Sequence, residues 1–257
     1  MLIEFEGVGF QFPGRPPVLR DISFTIPSGS SLGLIGPSGC GKTTLAQMVP
    51  RFYDPSAGLI RIDGKPLTAE VPMLMRRKMG YVSQASFIMT GTVRENLIFG
   101  NKQGDNRLID LLERLRPGFL EILPQGLDTQ VGEGGVRLSG GEKQTIAIAR
   151  ELLKSIEFIL IDEATASLDN EKQAIAQQAI DDILSLGVTT IMIAHRLNTT
   201  LNCDLMCVLQ ELQRCGENDS QIEAFVDAKN DNLWNQLWGI SPYFARNAKL
   251  EGIQQAA

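Results

Sequence analysis

No apolar run in this 257-residue chain approaches the roughly 20 residues needed to cross a bilayer. The longest, such as Phe158 to Ile161, are bounded by charges, so no membrane-spanning helix is expected. The opening Met1-Leu2-Ile3-Glu4-Phe5-Glu6 is acidic and short, unlike the basic start of a secretory leader. Histidine occurs once, as His195, and cysteine four times, as Cys40, Cys203, Cys207 and Cys215. The stretch Cys203-x3-Cys207-x7-Cys215 has no second cysteine pair and no nearby histidine to complete a metal site. Cys207 sits in the apolar run Leu205 to Leu209 and reads as core. The four thiols suit a reducing compartment better than a disulfide framework. Excess positive charge is also lacking. The formal net charge is −6, which argues against nucleic acid as the main partner. There is no internal repeat and no low-complexity segment. What remains is 43% hydrophobic and 21% charged, an ordinary soluble composition for one large domain or two lobes with a sizeable core.

The pattern of apolar residues predicts alternating strands and helices. Ile3, Phe5, Val8, Phe10 and Phe12 give half-buried strands broken at Pro13-Gly14 and Pro16-Pro17. Val18 to Ile26 forms another strand, and Ser31-Leu32-Gly33-Leu34-Ile35 a short apolar one. A helix is predicted from Thr43 to Val49, and a hairpin around Asp63-Gly64. From about Val93 to Leu123 the period turns helical, with Leu108, Ile109, Leu111, Leu112 and Leu115 on one face. Ser139 to Lys154 reads as a helix opened by a capping box, with Ser139 as N-cap and Glu142 three residues on. Strand Phe158–Ile161, helix Asn170–Leu186, strand Thr189–Ala194 and strand Leu205–Leu209 follow. Such alternation implies an α/β fold with a mostly parallel sheet covered by helices on both faces. From about Trp238 the end is polar and is expected to fray; Trp234 and Trp238 read as a helix face packed on the core.

Gly36-x4-Gly41-Lys42-Thr43 matches the phosphate-binding loop pattern. Its glycines let backbone N–H groups turn inward around phosphate oxygens, and the following helix adds the positive end of its dipole. Lys42 is placed to reach the β- and γ-phosphates, and the Thr43 hydroxyl to ligate Mg²⁺, which prefers oxygen. Asp162, at the end of an apolar strand, is a second candidate Mg²⁺ ligand. Glu163 follows and is the candidate to polarise the attacking water. His195 ends another apolar strand and is a candidate γ-phosphate contact. Each piece has a blander reading: a glycine-rich turn, a strand capped by two acids, a satisfied structural histidine. Their order along one chain favours the chemical reading.

Leu138-Ser139-Gly140-Gly141-Glu142, 21 residues before Ile159-Leu160-Ile161-Asp162-Glu163, completes that order. With the phosphate loop and His195, it resembles the ATP-binding cassette (ABC) ATPases over about residues 2 to 210. The resemblance implies a P-loop NTPase core with an N-terminal antiparallel β subdomain and an inserted helical subdomain. The core and β part would be residues 1–87 and 156–237, the helical lobe 88–155, and the polar tail 238–257. It implies that Phe12 stacks on adenine, although its alternation with Phe10 would also bury it. It further implies that Gly36, Pro37, Ser38, Gly39, Cys40, Gly41, Lys42, Thr43 and Thr44 hold the phosphates. Gln84 falls at the family's Q-loop, near Mg²⁺ and the membrane-domain contact, and Asp169 in Ser167-Leu168-Asp169 at its D-loop. Catalysis would then rest on Glu163, His195, Lys42 and Gln84, with Mg²⁺ held by Thr43, Gln84 and Asp162. In this family two cassettes face each other, and Ser139, Gly140, Gly141 and Glu142 of one cover the ATP of the other.

Arg51-Phe52-Tyr53-Asp54-Pro55, Gly91-Thr92-Val93-Arg94-Glu95-Asn96-Leu97 and Thr129-Gln130-Val131-Gly132-Glu133-Gly134-Gly135 resemble exporter-type cassettes. The implied partners are a second nucleotide-binding domain and the transmembrane domains of an exporter, with this chain peripheral on the cytoplasmic face of a membrane. The signature departs from the usual pattern with Glu142 in place of Gln. That adds negative charge where a second subunit's γ-phosphate should lie, so weaker closure is expected. After Leu209 the likeness fades. A soluble ABC ATPase of the iron–sulfur assembly or DNA-repair type is the alternative, and some such proteins carry Ser-Gly-Gly-Glu. A nucleotide-gated binding module without catalysis is a third reading, which the retention of Glu163 and His195 counts against.

Overall fold

A computed structural model of the chain describes residues 1–83, 86–99, 103–162, 181, 183–194, 197–200, 202–214, 217–227, 237, 240–251 and 253. Alternating apolar residues form β1 (Ile3–Gln11) and β2 (Pro17–Ile26), and the apolar stretch before the glycine-rich loop forms β3 (Ser31–Ile35). Beyond the loop lie α1 (Lys42–Gln47), β4 (Ala57–Ile62), β5 (Lys65–Pro66), α2 (Pro72–Arg76) and β6 (Met79–Val82). A helical stretch follows: β7 (Gly91–Thr92), α3 (Val93–Ile98), α4 (Asp105–Leu115), β8 (Gln130–Val131) and α5 (Gly140–Leu152). The chain returns through β9 (Phe158–Asp162), β10 (Thr189–Ile193), β11 (Leu205–Arg214) and β12 (Glu217–Asp227) to α6 (Pro242–Leu250).

Among the described residues one ten-stranded sheet runs β5-β4-β1-β2-β12-β11-β3-β10-β9-β6. Its half from β11 to β6 is parallel, and its β5-β4-β1-β2 edge is antiparallel. Every residue of β3, β9 and β10 is buried, as expected for parallel strands covered on both faces. Side chains alternate between those faces. Phe158 and Leu160 of β9 join a cluster with Leu45, Ala46 and the antiparallel strands. Ile159 and Ile161 join Leu108, Leu112, Phe119, Ile146 and Ala149 from the helical stretch. Each such side chain, fully buried, stabilises by about 1.5–3 kcal/mol, so the sheet anchors both layers through single strands.

The register fixes where the site lies. Ile193 of β10 pairs with Leu34 of β3 and with Asp162 of β9, while Val82 of β6 pairs with Ile161. Parallel strands end at one crest, where α/β sheets bind ligands. The glycine-rich loop and Asp162 therefore share that crest.

The structure refines three expectations. The helical pattern from about Val93 to Leu123 is realised as separate elements, because Gly104 is an extended N-cap for α4 and Pro117-Gly118 interrupts before a 3-10 turn at Phe119–Ile122. The described part of the end, 240–251, holds a helix where a polar tail was expected. α6 is capped by the Ser241 hydroxyl, which accepts from the Phe244 N–H at 3.0 Å, and it buries Phe244 and Ala248. The strand predicted to stop at Leu209 continues to Arg214 and pairs antiparallel with β12. Polar Gln210, Glu211 and Gln213 conceal that hairpin in the sequence. The helix expected over 170–186 lies outside the described residues except at 181 and 183–186, and Trp234 and Trp238 lie outside them entirely.

Candidate active site

The loop between β3 and α1 is shaped by glycine. Gly36 has φ 151°, and a Cβ there would stand 2.4 Å from the Leu209 carbonyl oxygen and 2.9 Å from Cys40 Sγ. Gly41 has φ 87°, and its Cβ would meet Leu19 and Val18 at about 3 Å. No other residue type fits either position without moving its neighbours. The Lys42 side chain is buried and crosses the loop. Its Nζ donates to the carbonyls of Gly36 at 2.9 Å and Pro37 at 2.7 Å and lies 3.9 Å from Cys40 Sγ. An ammonium has three donors, and the loop's own backbone holds this one at the centre of the turn.

Thr43, the second residue of α1, donates from Oγ1 to Asp162 Oδ1 at 3.4 Å. Asp162 is 7% exposed at the end of β9. One hydroxyl and one carboxylate converging on a crest form a hard-oxygen donor pair of the kind Mg²⁺ takes. An open cleft of about 470 Å³ is lined by Thr43. One wall is Phe12 and residues 15–18, and the other is Ser38, Gly39 and residues 41–44. Phe12 stands edge-on to Phe10 at 4.8 Å and to Tyr53 at 5.5 Å, so both neighbours brace the ring that lines the cleft.

The signature segment is built differently. Ser139 is the N-cap of α5; its hydroxyl accepts from the Glu142 N–H at 3.3 Å, and Glu142 Oε2 accepts from the Ser139 N–H at 2.8 Å. The other oxygen of Glu142 lies 3.4 Å from Arg116 Nη1. Its carboxylate is thus turned onto its own helix end, where negative charge is favoured, and is faced by a guanidinium. Gly140 and Gly141 complete the first turn of α5. Gln84, Glu163, Asp169 and His195 lie outside the described residues.

A pair that sequence reasoning missed ties the segment after Gln84 to the signature helix. Asn96 is fully buried on α3, bonds through Nδ2 to the carbonyls of Met89 and Thr92, and accepts from the Met89 N–H at 2.9 Å. Arg150 of α5 donates to the Asn96 carbonyl at 2.7 Å and to Asn96 Oδ1 at 3.0 Å. Burial lowers the Arg150 pKa, against the raising pull of Glu151. A polar Asn inside the apolar run Val93 to Leu97 was the available signal. Cys203 and Cys207 sit apart from this chemistry. Burial pushes the Cys203 thiol up to about 12 and raises that of Cys207 further, which leaves both inert at neutral pH.

A parallel sheet whose crest carries a glycine-rich loop, a buried lysine and a Thr–Asp oxygen pair defines a P-loop nucleotide-binding protein. The comparisons narrow the class. The family model described as ABC transporter matches residues 19–166, and the chain belongs to that family as its ATPase domain. It is 40% identical over 244 residues to the ABC multidrug transporter mdr2 of Aspergillus fumigatus, covering 93% of this chain and 31% of that one. It is 37% identical over 261 residues to ATP-binding cassette sub-family B member 10, mitochondrial, of Mus musculus, covering 99% and 36%. A bacterial Atm1-family ABC exporter solved with ATP bound superposes with a TM-score of 0.83 at 31% identity, covering 98% of this chain and 42% of that one. The chain therefore spans about a third of the length of the two curated relatives named.

Proposed function

We propose that this chain binds and hydrolyses MgATP as one cassette of an ABC exporter, pairing with a second cassette and driving transmembrane domains carried elsewhere. The observation that carries the reading is the convergence of Lys42, Thr43 and Asp162 on one crest. The inward N–H groups of the loop and the start of α1 bind the phosphates. Lys42 transfers its donors from the Gly36 and Pro37 carbonyls to the β- and γ-phosphates. Phe12 supplies a braced ring for the adenine. Thr43 and Asp162, with Gln84, would hold a Mg²⁺, which would supply charge neutralisation for the phosphates. Glu163 orients a water toward the γ-phosphorus and takes its proton while the bond to the ADP oxygen breaks. His195 contacts the γ-phosphate and holds that water in line.

The second half of each site comes from a partner cassette, whose Ser139-to-Glu142 segment brings a helix N-terminus to the γ-phosphate. Membrane coupling runs through Gln84 and the segment after it, whose Phe87 and Met89 the Asn96–Arg150 pair ties to α5. No helix among the described residues is long and apolar enough to cross a membrane. The relatives named as transporters favour an exporter's peripheral cytoplasmic domain over a soluble ATPase of the repair or iron–sulfur type. Sedimentation of Glu163→Gln, with and without MgATP over a range of protein concentrations, tests the reading. An ATP-dependent dimer supports it. A monomer that still binds ATP shows that this chain does not pair with itself and directs the search to a different cassette.

A further inference from the structure

The C-terminal helix reaches back into the nucleotide site. Tyr243, at the start of α6, donates its phenol O–H to the Gly36 carbonyl at 2.9 Å, across 207 residues of chain. That same carbonyl accepts from Lys42 Nζ at 2.9 Å. A carbonyl oxygen has two lone pairs, and here one serves the catalytic loop's lysine and the other the C-terminal helix. The helix is firmly seated. Phe244 and Ala248 are fully buried in a cluster with Ile35, Leu197, Met206 and Val208. Ile35 is the residue before Gly36. At the far end, the Glu251 carboxylate accepts from the Leu197 N–H at 2.9 Å and the Asn198 N–H at 3.1 Å, two and three positions after His195. Burial raises the Tyr243 pKa, so the phenol stays a donor through the neutral range.

We propose that Tyr243 is a positioning residue for Lys42: it satisfies the Gly36 carbonyl when Lys42 leaves it for phosphate, and so lowers the cost of nucleotide binding. When Lys42 swings away, a Gly36 carbonyl without Tyr243 is left buried and unsatisfied beneath the loop, a loss that comes due only on binding. The device acts on the phosphate end of the ligand and not on the base, because Lys42 serves the phosphates alone. This inference rests on the nucleotide reading above.

The test compares the chain with Tyr243→Phe and Lys42→Ala, titrating a fluorescent ATP analogue and displacing it with ATP and with AMP. Tyr243→Phe keeps the ring and its packing, and thermal unfolding is expected to match the parent. It should weaken ATP by about three- to tenfold, the loss of one satisfied hydrogen bond, and leave AMP unchanged. Equal weakening of ATP and AMP would indicate a general disturbance and overturn the proposal. Parental affinity for ATP in Tyr243→Phe, with binding lost in Lys42→Ala, would refute the positioning role and leave the nucleotide reading standing. Undiminished ATP binding in Lys42→Ala would remove that reading itself, and this proposal with it.

Discussion

Two helix N-termini lie in the motifs assigned to nucleotide, and they are finished in opposite ways. α1 begins after Gly41 at φ 87°, with no side-chain cap. α5 begins after Ser139 inside a complete capping box. The first four N–H groups of a helix lack intrahelical partners. At α1 they are left to the loop and its ligand. At α5 the Ser139 and Glu142 side chains occupy two N–H groups reciprocally, and the glycines between them keep the approach open. The first terminus is therefore shaped to be completed by phosphate, whereas the second is stable before any partner arrives. A nucleotide site split between two cassettes needs both: one end that closes around ATP and one that is presented ready-made.

The comparison can be broken most sharply at Lys42. Lys42→Ala should weaken MgATP binding by about a hundredfold or more, since a charged hydrogen-bonding group to phosphate is lost; retained micromolar affinity in equilibrium binding would falsify the phosphate-loop assignment. Glu163→Gln should keep ATP affinity and lower turnover by about 10²–10⁴-fold. Near-normal turnover in a phosphate-release assay would mean another group positions the water. Ser139→Ala tests the second terminus. Loss of the cap should cost about 1 kcal/mol and lower the melting temperature by about 2–4 °C, with ATP binding by the isolated chain unaffected. The smallest effect is expected at Arg116. Arg116→Ala exposes the negative charge of Glu142 and should weaken the ATP-dependent dimer about two- to fivefold, the range of a partly exposed ion pair. Adding Glu142→Gln should restore the loss, and a dimer insensitive to both would show that this charge does not face the partner's nucleotide.

Much of this was legible in the sequence where local chemistry decides the structure. The capping box at Ser139 and Glu142, the buried strands ending at Ile35 and Asp162, and the turn at Asp63-Gly64 follow from residue type and spacing alone. So does the placement of Thr43 near Asp162, once parallel strands share a crest. Illegible were the features set by distant partners. β12 is polar enough to pass for a loop and becomes a strand because β11 offers it an edge. α6 looked like a tail because only Phe244 and Ala248 on it are fully buried, and their partners Ile35, Leu197, Met206 and Val208 lie far away in the sequence. The charge of Glu142 read as a defect because Arg116, 26 positions upstream, could not be placed beside it. Gln84, Glu163, Asp169 and His195 remain assignments from motif and resemblance.

The strand order has a consequence for how the protein is made. β3, which carries the phosphate loop, lies between β10 at 189–193 and β11 at 205–214. Its own edges stay unpaired until more than 150 further residues have left the ribosome. Loop closure on that scale makes folding slow and non-local, and a nascent chain at this stage exposes an apolar strand open to wrong pairing. One side of the phosphate loop, at Gly36, also waits for β11, because Leu209 is the residue packed against it. Folding of this sheet therefore waits until β10 and β11 have been made, and a chain cut short before β11 lacks one of the two strands that flank β3.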